Sequence, residues 1–388
     1  MIQIIEKKDC CGCNACGDVC PKQAISFIND DEGFWYPKVD MKKCIDCGLC
    51  EKICPFLNNH DTKKPIACYA AINSDNDERY KSSSGGVFWM LAKQIINYGG
   101  VIFGAAFNED WMVIHSSATT MEEVRKFQGS KYVQSRVSGC YKEAEIALKQ
   151  GKKVLFSGTA CQIAGLKGYL KKEYDNLLLV DVICHGVPSP GIWNRYLIQL
   201  KEDRTITDLN FRDKSNGWKD YCFSAQFSDG SVKTESHLKN LFMQGFIKNL
   251  YLRPSCYHCK LKGGRCGCDI TLGDFWGVET VLPQIDTREG VSFIIVNTEK
   301  GLKYIQTIEN KWPVSYEQGV KGNPCLESPV AETKWRKYFF TTYKQIDFTE
   351  SLNATLRGMR PGIIYRLKYK IKVILSNLYN KQSYRHNG

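Results

Sequence analysis

The chain lacks several features that would assign it to other classes. No uninterrupted apolar stretch reaches the roughly 18 residues of a spanning helix, so no transmembrane segment is expected. The opening MIQIIEKKDC carries no apolar core of the kind a secretory leader needs, so no leader is expected. There is no low-complexity tract. Without a secretion signal, nineteen cysteines do not read as a disulfide framework. In a reducing cytoplasm, the expected location, such a count points to metal or redox chemistry. The net charge of +12 comes with no nucleic-acid-reading motif. Its lysines are scattered, with the excess heaviest near the C-terminus, so no nucleic-acid partner is expected. What remains is ordinary: 388 residues, 43% hydrophobic and 24% charged, enough for two or three domains with a sizeable core.

What is present begins with a doubled motif. Cys10, Cys13, Cys16 and Cys20, closed by Pro21, read C-x2-C-x2-C-x3-C-P. Cys44, Cys47, Cys50 and Cys54, closed by Pro55, repeat the spacing. Bacterial two-cluster ferredoxins hold 4Fe-4S clusters with this run, and each run gives its fourth cysteine to the other cluster. Cys10, Cys13, Cys16 and Cys54 are therefore assigned to one cluster, and Cys44, Cys47, Cys50 and Cys20 to the second. A zinc module would use two C-x2-C pairs, not two evenly spaced quartets.

Residues 1–60 form this ferredoxin-type module, with short strands at Ala24 to Ile28 and Phe34 to Val39. A polar linker is expected over His60 to Pro65. A second region, 67–150, has strands at Ala67 to Ile72 and Val101 to Phe107. Between them Val87, Leu91, Ile95 and Tyr98 recur at helical spacing. A third region, 151–320, alternates strands at Lys153 to Ser157 and Leu177 to Ile183 with helices, the second opened by Ser189 and Pro190. A hairpin is expected around Asp229-Gly230, a helix over Leu238 to Leu250, and strands at Asp269 to Phe275 and Val291 to Asn297. The fold class is a mixed α/β body behind a two-cluster ferredoxin fold. The tail, 342–388, holds a basic amphipathic segment, Ile363 to Tyr379. It reads as a surface helix, or as a peripheral contact with an anionic membrane or a partner.

Four cysteines outside the first module sit at strand ends or in loops. Cys161 follows one strand and Cys184 ends the next, so parallel pairing would bring them to one sheet edge. Cys256 and Cys259 add a C-x2-C pair. Together they could ligate a third 4Fe-4S cluster, with Cys266 and Cys268 as competing ligands. The alternative is that Cys161 and Cys184 are buried structural thiols. Two small-residue segments could cradle a phosphate-bearing redox cofactor. One is Ser83-Ser84-Gly85-Gly86, which opens the Val87 helix. The other is Gly129 to Ser135, which offers Ser130, Lys131, Tyr132, Gln134 and Ser135.

These motifs, with Gly158-Thr159-Ala160-Cys161-Gln162, DVICHGVP from Asp181 and DITLGDFWG from Asp269, resemble the coenzyme F420 hydrogenase/dehydrogenase beta-subunit family. The version resembled carries an N-terminal ferredoxin domain, and the resemblance covers roughly residues 1–320. It implies an iron–sulfur flavoprotein with a cluster on Cys161, Cys184, Cys256 and Cys259. It implies FAD next to that cluster, with Ser83 to Gly86, Gly129 to Ser135, Gly158 and Thr159 at the flavin site. It further implies hydride exchange with a small-molecule two-electron acceptor or donor, and electrons shared with a redox partner protein or soluble ferredoxin. The other reading is an electron-relay subunit without a substrate of its own.

Overall fold

The computed structural model describes residues 1–58, 61, 62 and 64–359. It divides into two units, Met1–Thr333 and Lys334–Gly388. In the second, helices Trp335–Tyr343 and Phe348–Gly358 pack together, with Phe339 edge-on to Phe348. The basic segment expected over Ile363 to Tyr379 lies outside the described residues, as does part of the expected linker.

The first unit opens with the hairpin β1 (Ile25–Asn29) and β2 (Trp35–Val39). Flanking it are two one-turn helices, Ala15–Asp18 and Leu49–Lys52. Each follows a residue in the left-handed region, Asn14 at φ 65° and Gly48 at φ 70°, so the two cysteine runs bend the backbone alike.

Behind it stands one eight-stranded sheet. Its strands are β3 (Ala67–Ala71), β4 (Val101–Phe107), β5 (Val113–Ala118), β6 (Val154–Thr159) and β7 (Leu177–Val182). After β8 (Ile206–Asp213), β9 (Cys222–Phe227) and β10 (Val232–Ser236), it resumes with β11 (Ile270–Asp274), β12 (Ser292–Val296) and β13 (Lys311–Pro313). The order is β13-β3-β12-β11-β7-β6-β4-β5. Pairing is parallel through β4, β6, β7 and β11 and antiparallel at both flanks. Strands from the 67–150 and 151–320 regions thus interleave in one sheet. The near-continuous apolar runs of β7 and β12 reflect burial on both faces.

Alternation along the strands divides the core. Phe103, Phe156, Leu177 and Leu179 face one cluster of side chains, while Ile102, Leu155, Leu178 and Val180 face the other. The first cluster also takes in Ile2, Cys13, Cys16, Ile53, Cys54 and Phe56, so the ferredoxin module shares a core with the sheet. The shared layer is helix Ala160–Leu170. A second sheet, β10-β9-β8, is antiparallel and encloses Trp193, Phe211, Phe223 and Phe242.

β5, β8 and β13 were not expected from the sequence. β5 (VIHSSA) is polar for a strand, β13 has three residues, and β8 is broken by register shifts that obscure its alternation. The expected helix over Leu238 to Leu250 is shorter, Leu241–Ile247. Asn240 caps it, and Asn249 at φ 58° turns the chain away.

The module's seat on the body depends on close backbone approach. A Cβ at Gly168 would lie 2.4 Å from the Ile53 carbonyl oxygen. Gly168→Ala should therefore push helix Ala160–Leu170 off residues 50–56 and cost about 1–3 kcal/mol. Thermal denaturation and proteolytic release of the module should both report it. An unchanged melting temperature would show that the seam adapts.

Candidate functional site

The thiols of the first quartet are mostly buried. Cys13, Cys16 and Cys54 are buried and Cys10 is half-buried. Burial pushes the Cys16 thiol well up, and the neighbouring thiols of Cys10, Cys54 and Cys50 add to it. Cys13 in turn feels Cys16 and Cys54. Cys54, distant in sequence, is thus within electrostatic reach of Cys13 and Cys16. The second quartet, Cys20, Cys44, Cys47 and Cys50, lines one cavity walled by Pro21, Ile25 and Val39. Cys47 is exposed there.

A third cysteine cavity lies at the carboxyl edge of the parallel strands. β6 and β7 pair with Thr159 opposite Val182, which brings the residues that follow, Cys161 and Cys184, to one edge. The loop Pro254–His258 supplies Cys256, and Cys259 follows it. All four thiols line the cavity, together with Cys11 and Cys325. Burial pushes the Cys184 thiol up to about 12, with Cys161 and Cys259 adding to it and Lys262 opposing. Polar groups already face two of these sulfurs. The Val187 N–H donates to Cys256 Sγ at 3.4 Å, and the Thr159 hydroxyl is 3.2 Å from Cys161 Sγ. The Val187 donor would favour a thiolate at Cys256. Cys266 and Cys268, expected as competing ligands, do not line this cavity; they lie behind its wall, against Asp181, which does line it.

Cys11 was not singled out from the sequence. It is buried, lines the third cavity with Cys161, and interacts electrostatically with the thiols of Cys13 and Cys161. It therefore joins the first quartet to the third cavity. Nothing in its spacing marks it, since it merely follows Cys10.

The third cavity shares Thr159, Val182 to Val187 and Cys325 with a larger one of about 570 Å³. The larger cavity collects Ser83, Ser84 and Gly86 from one expected segment and Gly129, Ser130, Lys131, Tyr132 and Ser135 from the other. Gly158 and Thr159 join them. The segments meet directly, because the Ser130 N–H donates to Ser83 Oγ at 2.6 Å. Gly86, at φ 85°, starts helix Val87–Asn97 at the cavity wall.

Two expected residues go elsewhere. Gly85 packs behind the loop, where a Cβ would meet the Ala71 carbonyl oxygen at 2.3 Å. Gln134 faces the ferredoxin module, donating to the Cys11 carbonyl at 3.1 Å and accepting from Arg253 at 3.0 Å. Alternation along an extended segment turns it from the side that Ser135 serves.

The structure adds residues from distant segments. Arg212 is ion-paired with Asp274 at 2.9 Å and donates to Tyr132 Oη and the Ser83 carbonyl. Its Nε is buried without a partner among the described residues. His115 also lines the cavity. Burial lowers its pKa to about 4, so the ring is neutral at pH 7. Its Nε2 lies 3.0 Å from the Ser157 carbonyl and must carry the hydrogen, while Nδ1 accepts from the Ser135 hydroxyl at 2.7 Å. Burial brings Lys131 down to about 7, and its ammonium donates to the carbonyls of Gln128 and Gly129.

Two sulfur quartets in a small module, seated on an α/β body with a cysteine-lined edge, define an iron–sulfur electron-transfer protein of the oxidoreductase class. Residues 9–58 match the 4Fe-4S dicluster domain, and residues 151–319 match the C-terminal part of the coenzyme F420 hydrogenase/dehydrogenase beta subunit. These two matches support the coenzyme F420 hydrogenase/dehydrogenase beta-subunit family, in the form with an N-terminal ferredoxin domain. The chain is 22% identical over 324 residues to a subunit of the F(420)H(2) dehydrogenase of Methanosarcina mazei, covering 80% of this chain and 86% of the relative. A chain of the F420-reducing NiFe hydrogenase complex from Methanosarcina barkeri aligns over 78% of this chain and 94% of its own, with 16% identity and a TM-score of 0.47. Among the described residues, no helix is long and apolar enough to cross a membrane.

The Arg212–Asp274 pair sets a prediction for the cavity wall. Arg212→Met would leave the Asp274 carboxylate largely buried and unpaired, at a cost of about 3–5 kcal/mol. The double change with Asp274→Leu should recover much of that loss. Urea midpoints for the three proteins measure both effects. Equal stability of Arg212→Met and wild type would mean that the pair is screened like a surface bridge.

Proposed function

We propose that this chain is a flavin-dependent iron–sulfur oxidoreductase. It would pass electrons between the ferredoxin clusters and FAD, and exchange a hydride with an organic acceptor or donor. One observation carries the reading. The cavity that collects both phosphate-type segments shares a wall with the third cysteine cavity, and Cys11 joins that cavity to the first quartet. A route of thiols into a roomy pocket is what a relay to a two-electron cofactor requires.

The ligand sets proposed are Cys10, Cys13, Cys16 and Cys54; then Cys44, Cys47, Cys50 and Cys20; then Cys161, Cys184, Cys256 and Cys259. The residues of the large cavity fit a dinucleotide. Helix Val87–Asn97 begins at its wall, and backbone N–H groups at a helix start favour phosphate. Lys131 supplies a cation that phosphate would keep protonated. The partnerless Nε of Arg212 is a further donor available to an anionic or carbonyl group. Neutral His115 is held in one tautomer by Ser157, so it fixes Ser135 and presents no charge. Bound FAD would supply the exchange between single electrons and a hydride.

The name of the Methanosarcina mazei relative makes reduced coenzyme F420 the first hydride donor to try. That relative is part of a dehydrogenase with several subunits, which keeps a second reading in view, an electron-relay component of a larger complex. In either case a redox partner or soluble ferredoxin would dock where the second quartet is most open, at exposed Cys47.

Two experiments test the proposal. Anaerobic protein should bind FAD by equilibrium dialysis, and affinity should fall as pH rises above 7. The sign follows from Lys131. Its free pKa is about 7, and a phosphate anion raises it, so binding takes up a proton above pH 7. The fall is at most about tenfold per pH unit, and Lys131→Met should flatten it. If wild-type protein shows no FAD binding at any pH, the relay reading replaces this one.

The cross-donation is tested by iron counts. Cys13→Ser should lose about four irons, one cubane cluster. Adding Cys54→Ser should lose no more, whereas adding Cys20→Ser should double the loss. If Cys54→Ser is the additive change, the fourth ligands are not exchanged.

A further inference from the structure

Cys266 and Cys268 are left over by every ligand set above, yet they are among the most buried thiols in the chain, 3% and 1% exposed. They flank Gly267, which lies in the left-handed region at φ 69°. The turn brings both sulfurs to one carboxylate. Cys266 Sγ is 3.3 Å from Asp181 Oδ2, and Cys268 Sγ is 3.1 Å from Asp181 Oδ1. All three donor atoms lie within 4.8 Å of one another and all three residues are buried.

The surroundings are arranged for sulfur that carries charge. Asn297 Nδ2 donates to Cys268 Sγ at 3.2 Å, and the Thr271 hydroxyl stands 3.3 Å from the same sulfur. Thr271 is the register partner of Asp181 across β11 and β7, so its position is set by the sheet. No ion pair to Asp181 is found among the described residues. Lys262, whose charge favours the carboxylate, donates to the Cys184 carbonyl. Two thiols and a carboxylate with no balancing cation bonded to them are expensive to bury as anions.

We propose that Asp181, Cys266 and Cys268 form a mononuclear site for a zinc-class divalent cation, separate from the iron–sulfur clusters. Two soft thiolates and one carboxylate are a donor set that zinc accepts, with the oxygen of Thr271 or a water as the fourth ligand. Binding releases two thiol protons and leaves a net charge of one negative on the group. Asn297 offsets part of that charge. The site ties the loop after Cys259 to β7 and β11. It would thereby hold the Cys256–Cys259 pair against the strand end that carries Cys184. This role does not depend on whether FAD binds.

The test uses full-length protein purified anaerobically with its clusters intact. Metal analysis should give about one zinc per chain beside the cluster iron, and zinc K-edge absorption should show two sulfurs at about 2.3 Å with a shorter oxygen shell. Cys266→Ser and Cys268→Ser should each lose zinc and keep wild-type iron and sulfide. Three outcomes would overturn the proposal. A shell of four sulfurs would put zinc in an emptied cluster site. A fall of about four irons in Cys266→Ser would make these thiols cluster ligands. No zinc, before or after incubation of the wild type with zinc chloride, would leave the thiols as plain hydrogen-bond donors to Asp181. The absorption edge is read on wild-type protein, so the test stands even if neither variant folds.

Discussion

Arg253 is fully buried where the ferredoxin module meets the body, and its guanidinium binds both sides. It donates to the carbonyls of Cys10 and Trp35 on the module and to Gln134 on the body, at 2.7, 2.9 and 3.0 Å. Its plane also covers Tyr36 at 4.4 Å. A buried cation needs such a complete set of acceptors. The next residues in the chain are Pro254 to Cys259, so this one side chain positions the third cysteine pair relative to the first quartet. Gly12 leaves room for it, since a Cβ there would lie 2.8 Å from the guanidinium carbon.

The rest of the arrangement follows from parallel pairing. β4, β6, β7 and β11 run in one direction, so the loops after them open at one edge. Crevices outside the carboxyl ends of such strands are where α/β sheets build sites. Cys161 follows β6, Cys184 follows β7 and Asp274 ends β11, and all three line the joined cavities. The antiparallel flanks close the sheet, and β5 and β12 add His115 and Ser292 to the cavity wall. The same register that pairs Asp181 with Thr271 turns Asp181 toward Cys266 and Cys268 and leaves Cys184 beyond the strand.

Polar groups in these walls are satisfied across long sequence distances. Glu78 accepts from Arg125 and Gln128, and Lys214 donates to the carbonyls of Arg79 and Ser84. The Gly/Ser loop is thus braced on its outer side while its inner side stays open to the cavity. Burial brings Lys131 in the wall, and Lys214 behind it, down to about 7, so this region carries less fixed positive charge at neutral pH than its residue types suggest.

Local spacing was enough for the chemistry of the first module and for the strands at the centre of the sheet. Three thiols two residues apart can wrap only one cluster, and a five- or six-residue run such as β7 or β12 has few ways to be buried other than as a strand. That Ser83 to Gly86 opens helix Val87–Asn97 was legible for the same reason, because glycine and hydroxyl residues before a helix state their own backbone geometry. Register and side-chain direction were not legible. Gln134 and Ser135 are neighbours, yet one serves the ferredoxin seam and the other the cavity. Arg212 finds Asp274 sixty-two residues away. Cys266 and Cys268 looked like cluster ligands from their nearness to Cys259, but a turn at Gly267 and the β7–β11 register send them to Asp181. Cys11 had no mark at all until the fold placed Cys161 beside it. Residue type and short spacing determine what a thiol or a hydroxyl can do, while the packing of distant strands decides which of its possible partners it meets.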